Sequence, residues 1–181
     1  MIPGFAHAVL AAMILGPPGS LGLTLWDHYA PWDMTPPRHL EANVDRIVID
    51  KRRRTMRVYR DGEIRKVYRP IALGFAPEGD KFQEGDGRTP EGTFRIDRRN
   101  DRSAYHLSLG IDYPQPHHRS RARGAGVSPG GDIFIHGQPN QRKGRPDLPG
   151  DWTAGCVAIT DAEIEELFRY TPMGTVVEIL P

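Results

Sequence analysis

Two side chains of this sequence have the chemistry for acyl transfer. His136 ends the short apolar run 133–135, and Cys156, the only cysteine, follows twenty residues later. A cysteine attacks an amide carbonyl as a thiolate, but a free thiol with a pKa of about 8.5 is only a few per cent ionised at neutral pH. A neighbouring imidazolium lowers the pKa of the thiol in known cysteine–histidine pairs. The sequence therefore predicts a cysteine acyl-transfer centre, in which the fold must bring His136 to Cys156.

Glycines lie beside both reactive residues. Gly137 directly follows His136, so the histidine is predicted to project at the rim of a sheet with backbone close by. Gly155 directly precedes Cys156, which allows a sharp turn and leaves the nearby amides unshielded. Unshielded amides beside a nucleophile suit an oxyanion hole, which acyl transfer also requires.

Other interpretations of these residues are open. A lone cysteine is more often a small buried apolar side chain than a nucleophile. His106 lies on the polar side of a predicted strand, and His117 and His118 lie in a proline-rich segment that is typical of an exposed turn. A zinc site formed by these three histidines and Cys156 would lack the ligand spacing of structural zinc sites. Neither a metal nor a cofactor is predicted, and a single cysteine allows no internal disulfide.

The composition bounds the class of protein. A chain of 181 residues suits one domain with a substantial core and a short additional segment. Its 24 Lys and Arg residues balance 23 Asp and Glu residues, so no whole-molecule binding of nucleic acid is indicated. Basic residues cluster at 51–54 and at Arg119, Arg121 and Arg123. These clusters predict either solvated strand edges and loops or a patch for an anionic polymer or membrane surface.

The first 43 residues differ from the rest of the chain. Residues 1–26 are mostly apolar and are interpreted as a secretion signal, an uncleaved membrane anchor or a misassigned start, with export the favoured interpretation. A periplasmic or cell-envelope location follows from it. Residues 27–43 contain Pro31, Pro36 and Pro37 and are predicted to be a linker outside the core.

Residues 44–181 are predicted to form a mainly β domain of two packed sheets. Short β-branched or alternating runs predict strands at 44–50, 55–59, 64–73, 93–96, 105–111, 133–135, 157–159 and 175–180. Asp61 and Gly62 predict a two-residue hairpin. Thr160 and Glu163 match a capping box that begins the one predicted helix, at about 161–170. Residues 114–128 and 138–151 are predicted to be long surface loops.

Taken together, these motifs resemble the L,D-transpeptidase (YkuD-type) catalytic domain family over residues 44–181. The resemblance lies first in the His-Gly pair at 136–137 and the Thr-x-Gly-Cys motif at 153–156. Residues 87–94 resemble the Thr-Pro-x-Gly turn of the family, 44–59 its opening hairpin and 174–177 its closing strand. The resemblance implies a β-sandwich of two mixed sheets that acts on peptidoglycan stem peptides.

The resemblance also implies a role for each motif residue. Cys156 would attack the carbonyl between the L-centre of diaminopimelate and a following D-alanine, which leaves a thioester. His136 would be the general base, oriented by the carbonyl of Gly137. The amides of Gly155 and Cys156 would bind the oxyanion, with Thr153 in support. An amine from a second stem peptide or from a lipoprotein would resolve the thioester.

Further residues bear on the substrate and on the type of reaction. Tyr113, His106 and residues 114–128 are candidates for substrate binding. Ala154 and Ala158 replace residues that are common in the family, and the motif around them is similar to a YafK-like branch that includes hydrolases detaching lipoproteins from the wall. The alternatives to transfer are therefore a cysteine hydrolase acting on the same bond type and a non-catalytic wall-binding module.

Overall fold

The computed structural model describes residues 39–181 of the chain. The predicted hydrophobic segment 1–26 and most of the predicted linker lie outside the described residues. At its C-terminal end, the prediction that the linker lies outside the core is wrong. Leu40 is 4% exposed, and its amide donates to Glu166 Oε1 at 2.7 Å, so this part of the chain packs against the domain.

Eight strands form one mixed sheet. They are β1 Arg46–Asp50, β2 Thr55–Arg60, β3 Glu63–Tyr68, β4 Gly92–Ser103, β5 His106–Ile111, β6 Phe134–His136, β7 Val157–Ala158 and β8 Val176–Leu180. Their order across the sheet is β3-β2-β1-β8-β4-β5-β6-β7. The pairs β1–β8 and β6–β7 are parallel, and the other pairs are antiparallel. The prediction of a mainly β fold is confirmed.

The long strand β4 joins the two halves of this sheet. Its first part, Gly92 to Arg95, pairs with β8, and its second part, from Ile96 onward, pairs with β5. The ladder shifts register between Ile96 and Arg98, at the point where the pairing changes sides. The two expected sheets are therefore hydrogen-bonded to each other through one strand, because β4 is much longer than the predicted strand 93–96.

Alternate residues of the strands supply most of the core. This is the pattern expected for strands with one buried face. The buried apolar side chains include Ile47, Ile49, Met56, Val58, Phe94, Ile96, Leu109, Ile111, Val177 and Ile179. Ile164 and Leu167 complete the core from a helix.

Two α-helices lie among the described residues. The second, α2 (Asp161–Tyr170), begins as predicted: Thr160 Oγ1 accepts from the amide of Glu163 at 3.2 Å, and Glu163 Oε2 accepts from the amide of Thr160 at 2.9 Å. The first, α1 (Pro116–Gly124), lies within the segment that was predicted to be a surface loop, so that prediction is wrong. Only His118 and Ala122, one turn apart, are buried on α1, which leaves no apolar period for the sequence to show.

The chain after the first hairpin also departs from its prediction. Asp61 and Gly62 have φ of 54° and 78° and join β2 to β3, as the hairpin signal indicates. The predicted strand 64–73, however, ends at Tyr68. Beyond Pro70, which has no amide proton, the chain makes isolated bridges from Ala72 to Ala158 and from Gly74 to Thr153. We refer to residues 72–75 as the bridging segment.

Candidate active site

His136 ends strand β6, and Cys156 directly precedes β7, the strand that pairs with β6. The parallel register of β6 and β7 sets His136 opposite Ala158, two residues after Cys156. Alternate residues of a strand face the same side, so the position of Cys156 shares a face with His136. The Cys156 Sγ accepts from the amide of Phe134 at 3.4 Å and donates to the carbonyl of Asp132 at 3.5 Å. Among residues 39–181 the sulfur makes no hydrogen bond to the imidazole of His136. Catalytic hydrogen bonds are often long or poorly aligned before substrate binds.

The hydrogen bonding of His136 fixes its tautomer. The ring is 3% exposed, and its Nδ1 lies 2.7 Å from the carbonyl oxygen of Gly137. A carbonyl only accepts, so Nδ1 carries the proton and Nε2 of the neutral ring keeps its lone pair. The Gly137 carbonyl therefore orients the histidine in the tautomer that a general base needs.

Burial acts in opposite directions on the two groups. It lowers the pKa of His136, and the hydrogen bond to Gly137 only partly opposes this. Burial also raises the pKa of the Cys156 thiol above its ordinary value, and the charge of Asp132 acts in the same direction, while the hydrogen bond from Phe134 and the charge of Lys81 act against it. Both shifts favour the uncharged form of each side chain, which suits a histidine that acts as a general base.

Gly137 is held where a larger residue does not fit. Its amide donates to the carbonyls of Tyr105 and Leu107 at 3.1 and 3.3 Å. A Cβ at this position would lie 2.5 Å from Asp161 Oδ1 and 3.0 Å from a methyl group of Ile164. The glycine thus lets α2 approach the strand end closely enough to fix the carbonyl that orients His136.

Thr153 organises the turn before the cysteine. Its Oγ1 accepts from the amide of Gly155 at 3.1 Å and donates to the carbonyl of Cys156 at 2.7 Å. Gly155 has a φ of 138°, and a Cβ there would lie 2.7 Å from the carbonyl oxygen of Arg88. Because Thr153 already occupies the Gly155 amide, only the Cys156 amide of the two expected oxyanion donors is left for a substrate.

Two segments that are distant in sequence hold this cysteine turn. In the bridging segment, Phe75 N donates to Thr153 O at 2.9 Å, and Thr153 N donates to Leu73 O at 3.1 Å. Gly74 also donates to Thr89 Oγ1 at 3.0 Å, in the Thr-Pro turn that the sequence singled out. A Cβ on Gly74 would collide with the carbonyl of Gly87, so the two segments pack backbone to backbone.

Charged residues of the predicted basic cluster 51–54 support the same region. Lys51 is 2% exposed, and its Nζ donates to Thr89 O at 3.1 Å and to Glu91 Oε1 at 2.7 Å. Arg54 forms an ion pair with Asp151 at 2.6 Å, just before the cysteine turn. For Lys51, both predicted alternatives, a solvated edge and a basic patch, are wrong, since its partners are carbonyls and a carboxylate that only the fold brings together.

Two aromatic side chains that sequence reasoning missed cover His136. The ring centroid of Tyr105 lies 4.6 Å from that of His136, and the centroid of Trp152 lies 5.7 Å from it. Tyr105 is 40% exposed, so it stands between the imidazole and solvent. The indole Nε1 of Trp152 is buried and has no hydrogen-bond partner among the described residues. Isolated aromatic residues carry no motif, and only the fold reveals their position.

A cleft of about 210 Å³ opens beside Cys156. We call it the cysteine cleft. It is lined by Lys81, Glu84, Gly85, Gly130, Gly131, Asp132, Ile133, Ala154 and Cys156. The sulfur is thus reachable from solvent, as a nucleophile must be. Lys81 is a further residue that sequence reasoning missed.

The two weaker candidates for substrate binding lie elsewhere. Tyr113 is 4% exposed, its hydroxyl donates to the carbonyl of Pro129 at 3.0 Å, and burial raises its pKa to about 12. It packs edge-on against His118 of α1 and so supports the fold from within. His106 pairs with Glu165 of α2 at 2.7 Å and lines a different cavity. The structure does not bring either residue to the cysteine cleft.

Two further structural findings concern metals and membranes. Within residues 39–181, no group of three or more His, Cys, Asp or Glu side chains is placed to hold a metal ion. In the same part of the chain, no helix combines the length and the apolar character that crossing a bilayer requires.

Comparison with known proteins places this geometry in context. The family model of the L,D-transpeptidase catalytic domain matches residues 44–179. The helical cell shape determining protein Pgp2 from Campylobacter jejuni is similar, with 27% identity, a TM-score of 0.60, and coverage of 81% of this chain and 51% of that one. Bd1075 from Bdellovibrio bacteriovorus shares the fold, with 22% identity, a TM-score of 0.52, and coverage of 80% and 53%.

This chain therefore spans about half the length of those two proteins. No curated protein matches it.

Proposed function

The chain belongs to the L,D-transpeptidase catalytic domain family, and from that premise we propose that it is a peptidoglycan L,D-transpeptidase of the cell envelope. One observation carries the proposal. On the strand beside Cys156, His136 has its Nδ1 bound to the Gly137 carbonyl, which leaves Nε2 as a base, and the sulfur opens into a cleft. A nucleophile, an oriented base and access for substrate are the parts that acyl transfer needs.

The first half-reaction forms the thioester. The Cys156 sulfur bonds to the carbonyl carbon between the L-centre of diaminopimelate and D-alanine, while its proton passes to His136 Nε2. The amide of Cys156 donates to the oxyanion that forms. When the intermediate collapses, the carbon–nitrogen bond breaks, the proton on Nε2 passes to the leaving nitrogen, and D-alanine departs.

The second half-reaction resolves the thioester. An amine of a second stem peptide, or of a wall-linked lipoprotein, attacks the carbonyl carbon and gives a proton to His136 Nε2. The carbon–sulfur bond then breaks, and the thiolate takes that proton back. Water in place of the amine would make the enzyme a hydrolase of the same bond type. Pgp2 determines helical cell shape, and we extend to this chain the coarser role of remodelling the wall.

Incubation with tetrapeptide muropeptides tests the proposal. We expect release of D-alanine together with cross-linked dimers, and a carbapenem adduct on Cys156 in the mass spectrum of the intact protein. Tripeptide or freed lipoprotein without dimers would instead identify a hydrolase. The variant Cys156→Ser should lose both the products and the adduct. If wild type gives neither products nor adduct, the transpeptidase proposal fails and the wall-binding module is the remaining alternative. If Cys156→Ser still forms the products, a different group is the nucleophile.

A further inference from the structure

A buried cation lies in the wall of the cysteine cleft. Lys81 is 3% exposed, yet it lines the same cleft as Cys156, and its charge acts to lower the pKa of the thiol. None of the steps described above uses it. A lysine that is removed from water beside a nucleophile is costly to keep charged unless it is paired, so its partners decide what it can bind.

The ammonium group of Lys81 is held in a fixed place. Its Nζ donates to Asp86 Oδ1 at 2.8 Å and to the carbonyl of Gln83 at 3.1 Å. Asp86 in turn accepts the amides of Phe82, Gln83 and Arg88 at 2.8 to 3.0 Å. Burial alone would raise the pKa of Asp86, but these hydrogen bonds, with that of Lys81 first, lower it to about 2. The carboxylate stays charged, and it anchors the cation.

One donor of this ammonium group is left for a ligand. An ammonium carries three N–H donors, and Asp86 and Gln83 take two of them. Lys81 itself lines a cleft whose glycines at 85, 130 and 131 have no side chains to block approach. A small anion that enters the cleft therefore meets a preorganised cation.

Two carboxylates, of Glu84 and Asp132, also line the cleft. Asp132 is 81% exposed in its side chain and pairs with Arg98 at 2.9 Å, and Glu84 is exposed. Water screens exposed charges far more than buried ones. Lys81 is thus the buried cation of the cleft wall, whereas Asp132, whose charge raises the pKa of the thiol more than that of Lys81 lowers it, is exposed to water.

We propose that Lys81 binds the free carboxylate of the residue that leaves in the first half-reaction, so that the enzyme selects stem peptides with an unblocked C-terminus. This inference rests on the proposed function. In such a substrate the carboxylate carbon lies within about 4 Å of the attacked carbonyl carbon, since only one nitrogen and one Cα separate them. A cleft of about 210 Å³ that contains both the sulfur and Lys81 matches this short span.

Paired substrates test the subsite without altering the protein. The tetrapeptide and its C-terminal carboxamide differ only in the charge that Lys81 would bind. We expect wild type to prefer the acid by roughly 10- to 100-fold in kcat/KM, the range of a charge-assisted hydrogen bond. Lys81→Met should lower that preference to about one by slowing the acid alone. Asp86→Asn, which disturbs the same ion pair but keeps the ammonium, should retain a preference for the acid.

The outcomes separate the two proposals. Equal use of acid and amide by wild type would overturn the subsite and leave the L,D-transpeptidase assignment standing. No reaction with either substrate, and no adduct on Cys156, would overturn the assignment itself. A Lys81→Met variant that folds and keeps the acid preference would show that another group binds the carboxylate. Should that variant fail to fold, the ratio of kcat/KM for the acid to kcat/KM for the carboxamide is compared between wild type and Lys81→Arg instead. A preference for the acid in both would support the subsite, and equal use of the two substrates by wild type would overturn it.

Discussion

Burial lowers the pKa of the His136 imidazole and raises that of the Cys156 thiol, so it favours the uncharged form of both groups. A neutral pair is protected from oxidation and from unproductive nucleophilic attack, since the thiolate is the reactive form. In the proposed reaction the thiolate forms as Nε2 takes the proton of the thiol. Lys81 and the amide of Phe134 favour that charged form and lower the cost of reaching it.

The ring of Tyr105 is expected to set the acid limb of the pH profile. It covers His136 and contributes to the burial that lowers the pKa of the imidazole. The base works only when unprotonated, so activity falls as pH drops through this pKa. In Tyr105→Ala, water reaches the ring, the pKa rises toward about 6.5, and the acid limb of kcat/KM moves to higher pH.

A matched variant controls for loss of the hydroxyl group alone. Tyr105→Phe keeps the ring and should show the wild-type profile. The pH dependence of kcat/KM for stem-peptide turnover measures both variants. If the profile of Tyr105→Ala superimposes on that of wild type, the aromatic cover has no part in tuning His136.

The hydroxyl of Thr153 is expected to matter more for rate than for stability. Thr153→Val keeps the shape but removes the hydrogen bonds to the Gly155 amide and the Cys156 carbonyl. Loss of these bonds lowers the free energy of unfolding by about 1–2 kcal/mol. A cysteine turn that shifts by an ångström loses acylation rate on the order of 100-fold. Rapid-mixing measurement of Cys156 acylation tests this, and Thr153→Ser should recover most of the rate.

Among the helices, strands and turns, those defined by local patterns could be predicted from the sequence, and those defined by distant contacts could not. The bounds of α2, the hairpin at Asp61 and the turn containing Thr89 follow from short-range signals, so the sequence is sufficient to predict them. The bridging segment could not be predicted. Its pairing partners lie more than seventy residues away, and its isolated bridges leave no strand period.

The same distinction applies to the site residues. The pair His136 and Cys156 was recognisable from adjacent glycines and from a known motif. Lys81 and Trp152 were not, because each gains its importance from a cleft wall or a ring contact that forms only in the folded chain. The prediction that residues 114–128 form a loop is wrong for a further reason. Helix α1 is polar on nearly every face, so it has no amphipathic periodicity by which the sequence could reveal it.

Glu166 is expected to be the main electrostatic anchor of α2. Its carboxylate accepts from the Leu40 amide at 2.7 Å and from the Tyr68 hydroxyl at 2.8 Å, and it pairs with Lys66 at 3.1 Å. Burial alone would raise the pKa of Glu166, but these contacts lower it. A depressed carboxyl pKa adds stability above the unfolded value of about 4.3, and this stability is lost as pH falls through the folded pKa.

Denaturant unfolding at two pH values tests this anchor. Glu166→Gln should lose about 1–3 kcal/mol of unfolding free energy near neutral pH, and the difference from wild type should shrink near pH 3. Glu63→Gln is the matched control, because Glu63 pairs with Arg65 at the surface of the edge strand β3, and it should change nothing measurable. A difference for Glu166→Gln that is independent of pH would exclude the charged anchor.

In the molecule as a whole, the site lies in the half of the sheet formed by β5, β6 and β7, whereas much of its support comes from the other half. The bridging segment follows β3, and Lys51 and Arg54 lie between β1 and β2. Both halves must therefore stay in register for the cysteine turn to keep its geometry. The connection between them is the pair β4 and β8, since the sheet order runs from β1 through β8 to β4.

Strand β8 is thus expected to be essential for folding although it is the last strand of the chain. It is parallel to β1 on one side and antiparallel to β4 on the other, and it buries Val177 and Ile179 at 0% and 2% exposure. A chain that stops after Thr175 would leave two unpaired strand edges in the middle of the sheet, where backbone groups have no water to bond. We expect it to show no cooperative thermal unfolding.

Point substitutions test the same strand in the full chain. Ile179→Ala should lower the free energy of unfolding by about 2–5 kcal/mol. Ile64→Ala, at a half-buried site on edge strand β3, should lower it distinctly less. A shortened chain that melts cooperatively would mean that the halves fold separately, and its rate of Cys156 acylation would then show whether the active half needs its neighbour.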